Sequence, residues 1–165
     1  MAYDPKTIVT VIKTITLTGN GATTINVFSL TGIVRVHEIY GVVTEATNVT
    51  TLQKVGLILY EATPTTVEIT DTGTGVDCSA TVVGSLVIRT GVVGATSPLL
   101  HNKANVCSTM ELQYDSGGYG LVLVQRAGTA TYVKASFTGD ANTDCDVQWF
   151  AKYTPLSASS SLVAV

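Results

Sequence analysis

The chain is poor in charge: Asp, Glu, Lys and Arg make up only 13% of its 165 residues, about half the usual share for a soluble domain. The nine basic residues are scattered, no two are adjacent, and the net charge is −3. That excludes the clustered positive field of a nucleic-acid surface. Long hydrophobic runs are missing too. No apolar stretch approaches the roughly 20 residues of a membrane span, and Asp4, Lys6 and Lys13 leave no apolar segment of signal-peptide length at the N-terminus. Synthesis and folding in a cytosol are expected. The three cysteines, Cys78, Cys107 and Cys145, form no CxxC pair and are odd in number, so they fit neither a complete disulfide set nor a zinc site. Reduced, half-buried thiols are the expectation.

Catalytic groups are scarce as well. There are two histidines, His37 and His101, and no Ser or Cys sits in a nucleophile motif. The expectation is a non-enzymatic chain without cofactor or metal. Helical signals are equally absent, since no stretch of ten or more residues carries an apolar stripe at helical spacing.

What fills the chain instead is Thr, Val and Ile, at 59 of 165 positions. These β-branched side chains are stiff at χ1 and pack well on a pleated surface. Short period-2 runs of them recur between Gly, Asn, Asp, Ser and Pro. The runs predict strands over 7–18, 23–30, 33–44, 55–60 and 65–70, then 78–83, 85–90, 108–114, 119–126, 131–137 and 144–154. In the first, Val9, Val11, Ile15 and Leu17 oppose Thr10, Thr14, Thr16 and Thr18. In the third, Val34, Val36, Tyr40 and Val42 alternate against Arg35 and His37. In the last, Val147, Trp149, Ala151 and Tyr153 alternate against Gln148, Phe150 and Lys152 before Pro155. Residues 91–105 lack clear period, and Pro98 lies among them without an N–H to donate.

Many short strands separated by turns, with no helix to cross over, predict an all-β fold, an antiparallel two-sheet sandwich of jelly-roll type. Its expected core holds Val34, Val36, Val42, Leu57, Leu59, Val122, Val147 and Trp149. Residues 1–156 read as a single sandwich domain and 157–165 as a C-terminal extension. That extension carries four serines and then Leu162, Val163, Ala164 and Val165, where a free tail would be polar. Leu162, Val163 and Val165 are therefore the predicted partner-binding residues, ordered against another chain by strand addition. The same scarcity of charge implies that part of the surface is hidden against other subunits.

Each chemical motif has a plain reading beside it. Asp140-x-Asn142-x-Asp144-x-Asp146 imitates the opening of a calcium loop, but Cys145 stands where the turn needs Gly and Ala151 where the bidentate Glu belongs. A polar hairpin is the better fit. Asn48-Val49-Thr50 matches a glycosylation sequon, which means nothing without a secretory route. Ser116-Gly117-Gly118-Tyr119-Gly120 lacks the Lys-Ser/Thr ending of a phosphate loop, and reads as a turn. Asp71/Asp77 and Asp140/Asp144 lie in turn-rich segments, where solvated acids are ordinary. Tyr114 and Tyr119 flank a loop tip, where core or rim packing is the leading reading and a glycan-stacking pair the alternative.

Three groups of residues carry a family resemblance. They are Gly32-Ile33-Val34-Arg35-Val36 running to Gly41-Val42-Val43-Thr44; Asp77-Cys78-Ser79-Ala80 with Gly84-Ser85-Leu86 and Thr90-Gly91; and Asp144-Cys145-Asp146-Val147-Gln148-Trp149 with Tyr153-Thr154-Pro155-Leu156. Together they resemble small all-β virion proteins of tailed bacteriophages. The likeness spans about residues 30–156, with 92–126 departing from the pattern. It implies a capsid decoration or cement protein, or a related head or tail component, that assembles as a symmetric oligomer, often a homotrimer. The implied partner is a major capsid protein or other virion protein, with no nucleic acid and no membrane. The implied location is the virion, assembled in the host cytoplasm. No active site carries over. A tail or head-to-tail joining component is the alternative within virions, and a carbohydrate-binding β-sandwich the alternative outside them.

Overall fold

A computed structural model describes residues 7–45, 52–61, 66–69, 81–89, 98–101, 121–141 and 143–165. Every regular element among them is a strand: β1 (Val9–Thr16), β2 (Gly21–Thr31), β3 (Ile33–Val43), β4 (Gln53–Glu61), β5 (Thr66–Glu68), β6 (Leu86–Arg89), β7 (Pro98–His101), β8 (Leu121–Val124), β9 (Thr131–Gly139), β10 (Asp146–Pro155) and β11 (Ser161–Ala164). They form two antiparallel sheets. The six-stranded sheet runs β1-β10-β3-β6-β7, with β8 also paired to β3, and the five-stranded sheet runs β11-β2-β9-β4-β5. One hydrophobic cluster joins them, with Val34, Val147 and Trp149 from the first sheet meeting Phe28, Leu57 and Val133 from the second. The fold is therefore an all-β antiparallel sandwich, as the alternation of β-branched residues predicts.

Three β-bulges interrupt the alternation, and they decide which residues face inward. In β3 the pairing steps from Tyr153↔Val36 to Lys152↔Glu38, leaving His37 as an extra residue. Side-chain direction inverts across such an insertion. Val34 and Val36 are buried before it, and Ile39, Gly41 and Val43 after it. Tyr40 and Val42, expected inside with Val34 and Val36, thus stand on the outer face. A second bulge leaves Val27 unpaired between Asn26 and Phe28 in β2, so both Val27 and Phe28 are buried. A third, between Gln53 and Gly56 of β4, contains Lys54 at φ 57°.

Six of the eight expected core residues are buried: Val34, Val36, Leu57, Leu59, Val147 and Trp149. Val42 is half-exposed for the reason just given. Val122 is 47% exposed, and its neighbour Leu123 is buried instead. The run Leu121-Val122-Leu123-Val124 is apolar throughout, so its own sequence does not name an inner face. Pairing does: Leu123 lies opposite buried Val34, and Val122 opposite exposed Arg35.

The C-terminal segment overturns one expectation. Residues 161–164 pair with Thr31 to Phe28 as an edge strand of the chain's own five-stranded sheet. Leu162 is 2% exposed within the core cluster. It is ordered by its own sandwich, because burying an apolar side chain beside β2 satisfies it without a partner. Pro98, expected in an unpatterned stretch, begins β7, the edge position where a missing N–H is tolerated. The predicted strand 78–83 does not extend over its described end, where Val83 and Gly84 form a turn. Strand 108–114, Cys78, Cys107, the Asn48 sequon, Asp71, Asp77, the 116–120 loop, Tyr114 and Tyr119 lie outside the described residues.

Candidate functional site: the outer face of the larger sheet

The bulge at His37 turns Tyr40 outward, and the register then lines it up with its neighbours. Ile12 of β1 lies opposite Phe150 of β10, and Phe150 lies opposite Tyr40 of β3. The Phe150 and Tyr40 rings stack at 5.0 Å between centroids and 11° between planes, a geometry that stabilises the pair beyond its buried area. Ile12, at the open edge, is 48% exposed. The three side chains form an apolar rib running across the strands. On one side it is bordered by Lys152 and Glu38, whose Nζ and Oε1 are 3.4 Å apart. On the other, Gln148 Nε2 donates to Thr14 Oγ1 at 3.3 Å. Farther along the same sheet Ile33, Val122 and Val124 add a second exposed apolar group at 39%, 47% and 49%. An apolar centre with a polar rim is the anatomy of a protein contact surface. Burial raises the Tyr40 phenol pKa; Glu38 adds to the shift and Lys152 offsets part of it.

The opposite face of the sandwich differs. The outward positions of β2 and β9 carry Thr24, Asn26, Tyr132, Lys134, Ser136 and Thr138. Lys134 Nζ sits 3.6 Å from the centroid of the Tyr60 ring, and burial lowers its pKa. Among the described residues the centre of this face, on β2 and β9, is polar, and its exposed valines, Val163 and Val165, lie at the β11 edge.

Several of the chemical candidates among the described residues take structural roles. Around Asp140, the backbone N–H of Asp140 donates to Thr143 Oγ1 at 2.7 Å, and Thr143 N–H donates to Asp140 O at 3.1 Å, closing a polar turn. Asp146 Oδ1 accepts from Thr16 Oγ1 at 2.6 Å, which ties β10 to β1. Among the described residues no group of three or more His, Cys, Asp or Glu is gathered as a metal site. Cys145 is fully buried, and its thiol pKa is pushed up to about 12, first by burial and then by Asp146, Asp144 and Glu45. A thiol that stays protonated is not a nucleophile. His37 uses Nε2 on Thr154 Oγ1 at 2.8 Å, spanning the bulge it creates. His101 is the last residue of β7. Among the described residues the buried indole N–H of Trp149 has no hydrogen-bond partner.

Of the three predicted partner-binding residues, Leu162 belongs to the core. Val163 and Val165 point outward and are 53% and 44% exposed. The rib of Ile12, Phe150 and Tyr40 was not read from periodicity: Ile39 and Val43 break the alternation of β3, which fits a strand covered on both faces, whereas the bulge at His37 is what shifts them inward. No family model, no curated protein and no solved structure matches this chain.

Proposed function

We propose that the chain is a non-enzymatic structural protein of a phage virion, decorating or cementing the capsid through self-association and capsid contacts. The observation that carries this reading is the apolar outer face of the larger sheet, in a chain with only 13% charged residues. Exposed apolar side chains grouped on one sheet face fit a surface that meets a partner. Its jelly-roll assignment is supported by the strand order: β1 to β4 alternate between the sheets, with β1-β10-β3 in one and β2-β9-β4-β5 in the other. The sequence resemblance to phage virion proteins supports the location, and the trimer it implies is one closed form that self-association can take.

The test is direct. Purified virions of the encoding phage should contain the chain in a fixed ratio to the major capsid protein by mass spectrometry. The purified chain, added to shells of that capsid protein, should sediment with them. A chain missing from the particles and left in the supernatant at saturating concentration overturns the reading.

A further inference from the structure

We propose that the outer face of the six-stranded sheet is covered by the same face of a second copy, packed about a two-fold axis that runs along the strands between β10 and β3. The inference rests on the self-association proposed above, but not on its capsid partner.

Three features point to a second copy. The first is charge placement. Lys152 and Glu38 lie opposite each other on adjacent strands. A dyad between those strands sets each Lys152 over the partner's Glu38 and each Glu38 over the partner's Lys152, so the rim is complementary to itself. The second is shape. The same operation lays Phe150 of one copy over Tyr40 of the other, and an isologous contact requires this reciprocity. The third is size. Four strand positions at about 4.8 Å and eight residues at about 3.3 Å give a flat projection of roughly 500 Å². That is the scale of a specific contact between two copies rather than of an incidental one. Among the described residues the outer face of the smaller sheet has neither the rib nor the paired rim, and its exposed valines lie at the β11 edge.

The geometry separates contacts within a copy from contacts between copies. Glu38→Lys alone, or Lys152→Glu alone, sets like charges against each other both within the subunit and across the dyad. Mixing the two variants restores opposite charges only across the dyad. Light scattering and analytical ultracentrifugation over about 1–100 µM should find the native chain dimeric. Each single variant should dissociate about tenfold more readily, and an equimolar mixture should recover the native affinity as a heterodimer. Ile12→Glu, at a half-exposed position, should give a monomer with an unchanged circular dichroism spectrum. A native monomer across this range overturns both this inference and the self-association. A trimer indifferent to Ile12→Glu overturns this inference and leaves self-association standing. Charge variants that are not rescued by mixing place the Lys152–Glu38 pair within one subunit only and refute the dyad. A dimer absent from virions would uphold the dyad and refute the capsid reading.

Discussion

Replacing Gly32 with alanine should cost this protein more than the same change at Gly21 or Gly128, which also sit at left-handed positions. Gly32 joins β2 to β3 where the chain passes from one sheet to the other, with φ at +65°. Its carbonyl accepts from Gln125 N at 2.7 Å, and its N–H donates to Gln125 Oε1 at 2.9 Å. The crossing from β10 to β11 meets the same point. Leu156 N–H donates to Ile33 O at 2.9 Å, and Ile33 N–H donates to Ser160 Oγ at 2.9 Å. A Cβ built on Gly32 would lie 2.5 Å from Ser160 Oγ and 3.2 Å from Ser160 Cα, so Ser160, 6% exposed, has to move.

Two terms add. The left-handed backbone costs an L-residue about 1–2 kcal/mol. Displacing Ser160 removes the part-buried hydrogen bond from Ile33 N–H, at about 0.5–1.5 kcal/mol. The sum, about 1.5–3.5 kcal/mol, is a large part of the ~5–15 kcal/mol that holds a typical domain together. At about 2–4 °C per kcal/mol for a domain of this size, Tm should fall by about 3–14 °C. Gly21 and Gly128 are the controls, with φ of +82° and +71° and nothing within 4 Å of an added Cβ. Gly21→Ala and Gly128→Ala carry the backbone term alone, so each should lower Tm by only about 2–8 °C. Urea melts and calorimetry of the three variants measure the difference. Equal losses for Gly32→Ala and Gly128→Ala would refute the close approach of the three crossings.

Leu162→Ala should destabilise by about 2–5 kcal/mol, as a core leucine does, and removal of residues 157–165 should lower the Tm of the isolated subunit. An unchanged melt would return the tail to the role of a free arm. Gly41→Ala puts a Cβ 2.7 Å from Val147 Cγ1 and 3.1 Å from Trp149 Cε3. It should cost about 1–3 kcal/mol through overpacking and shift the tryptophan emission, which fluorescence and urea titration report. The Cys145 pKa is raised from 9.0 to about 12, so the folded state favours the neutral thiol. Its contribution to stability is complete below pH 9 and is lost as pH rises toward 12. The stability difference between native protein and Cys145→Ala should therefore be flat to pH 9 and shrink above it. At pH 8 the native thiol should carry about a thousandfold less thiolate than an unfolded one and react with thiol reagents correspondingly slowly.

How much of this was legible in advance differs from strand to strand. β10 alternates cleanly, so Val147 and Trp149 were assigned to the core from period alone, and they are buried. In and just after β1, Ile15 and Leu17 share the inward face with Val9 and Val11, although Ile12 and Lys13 break the pattern. The all-β class was equally plain, because β-branched residues separated by turn formers leave a helix no amphipathic stripe. β3 was legible only as far as Val36. The inserted His37 is an ordinary residue, and nothing in its type announces that it is unpaired, yet it moves Tyr40 and Val42 from the core to the surface. The short apolar runs were ambiguous for another reason. Leu121-Val122-Leu123-Val124 and Ser161-Leu162-Val163-Ala164 offer apolar side chains to both faces.

Composition and local pattern, by themselves, determined that this chain makes strands, that it packs them in two antiparallel sheets, and that its surface is short of charge. Those properties depend on side-chain stereochemistry and on spacing between near neighbours, which a sequence states directly. Only the tertiary structure decided where the unpaired residues fall, which apolar face is left outside, and that the C-terminal strand closes its own sandwich. Each of these depends on the register between segments over a hundred residues apart, such as His37 with Thr154 and Thr16 with Asp146. A one-residue step in that register exchanges inside for outside, and no local pattern in either strand records it.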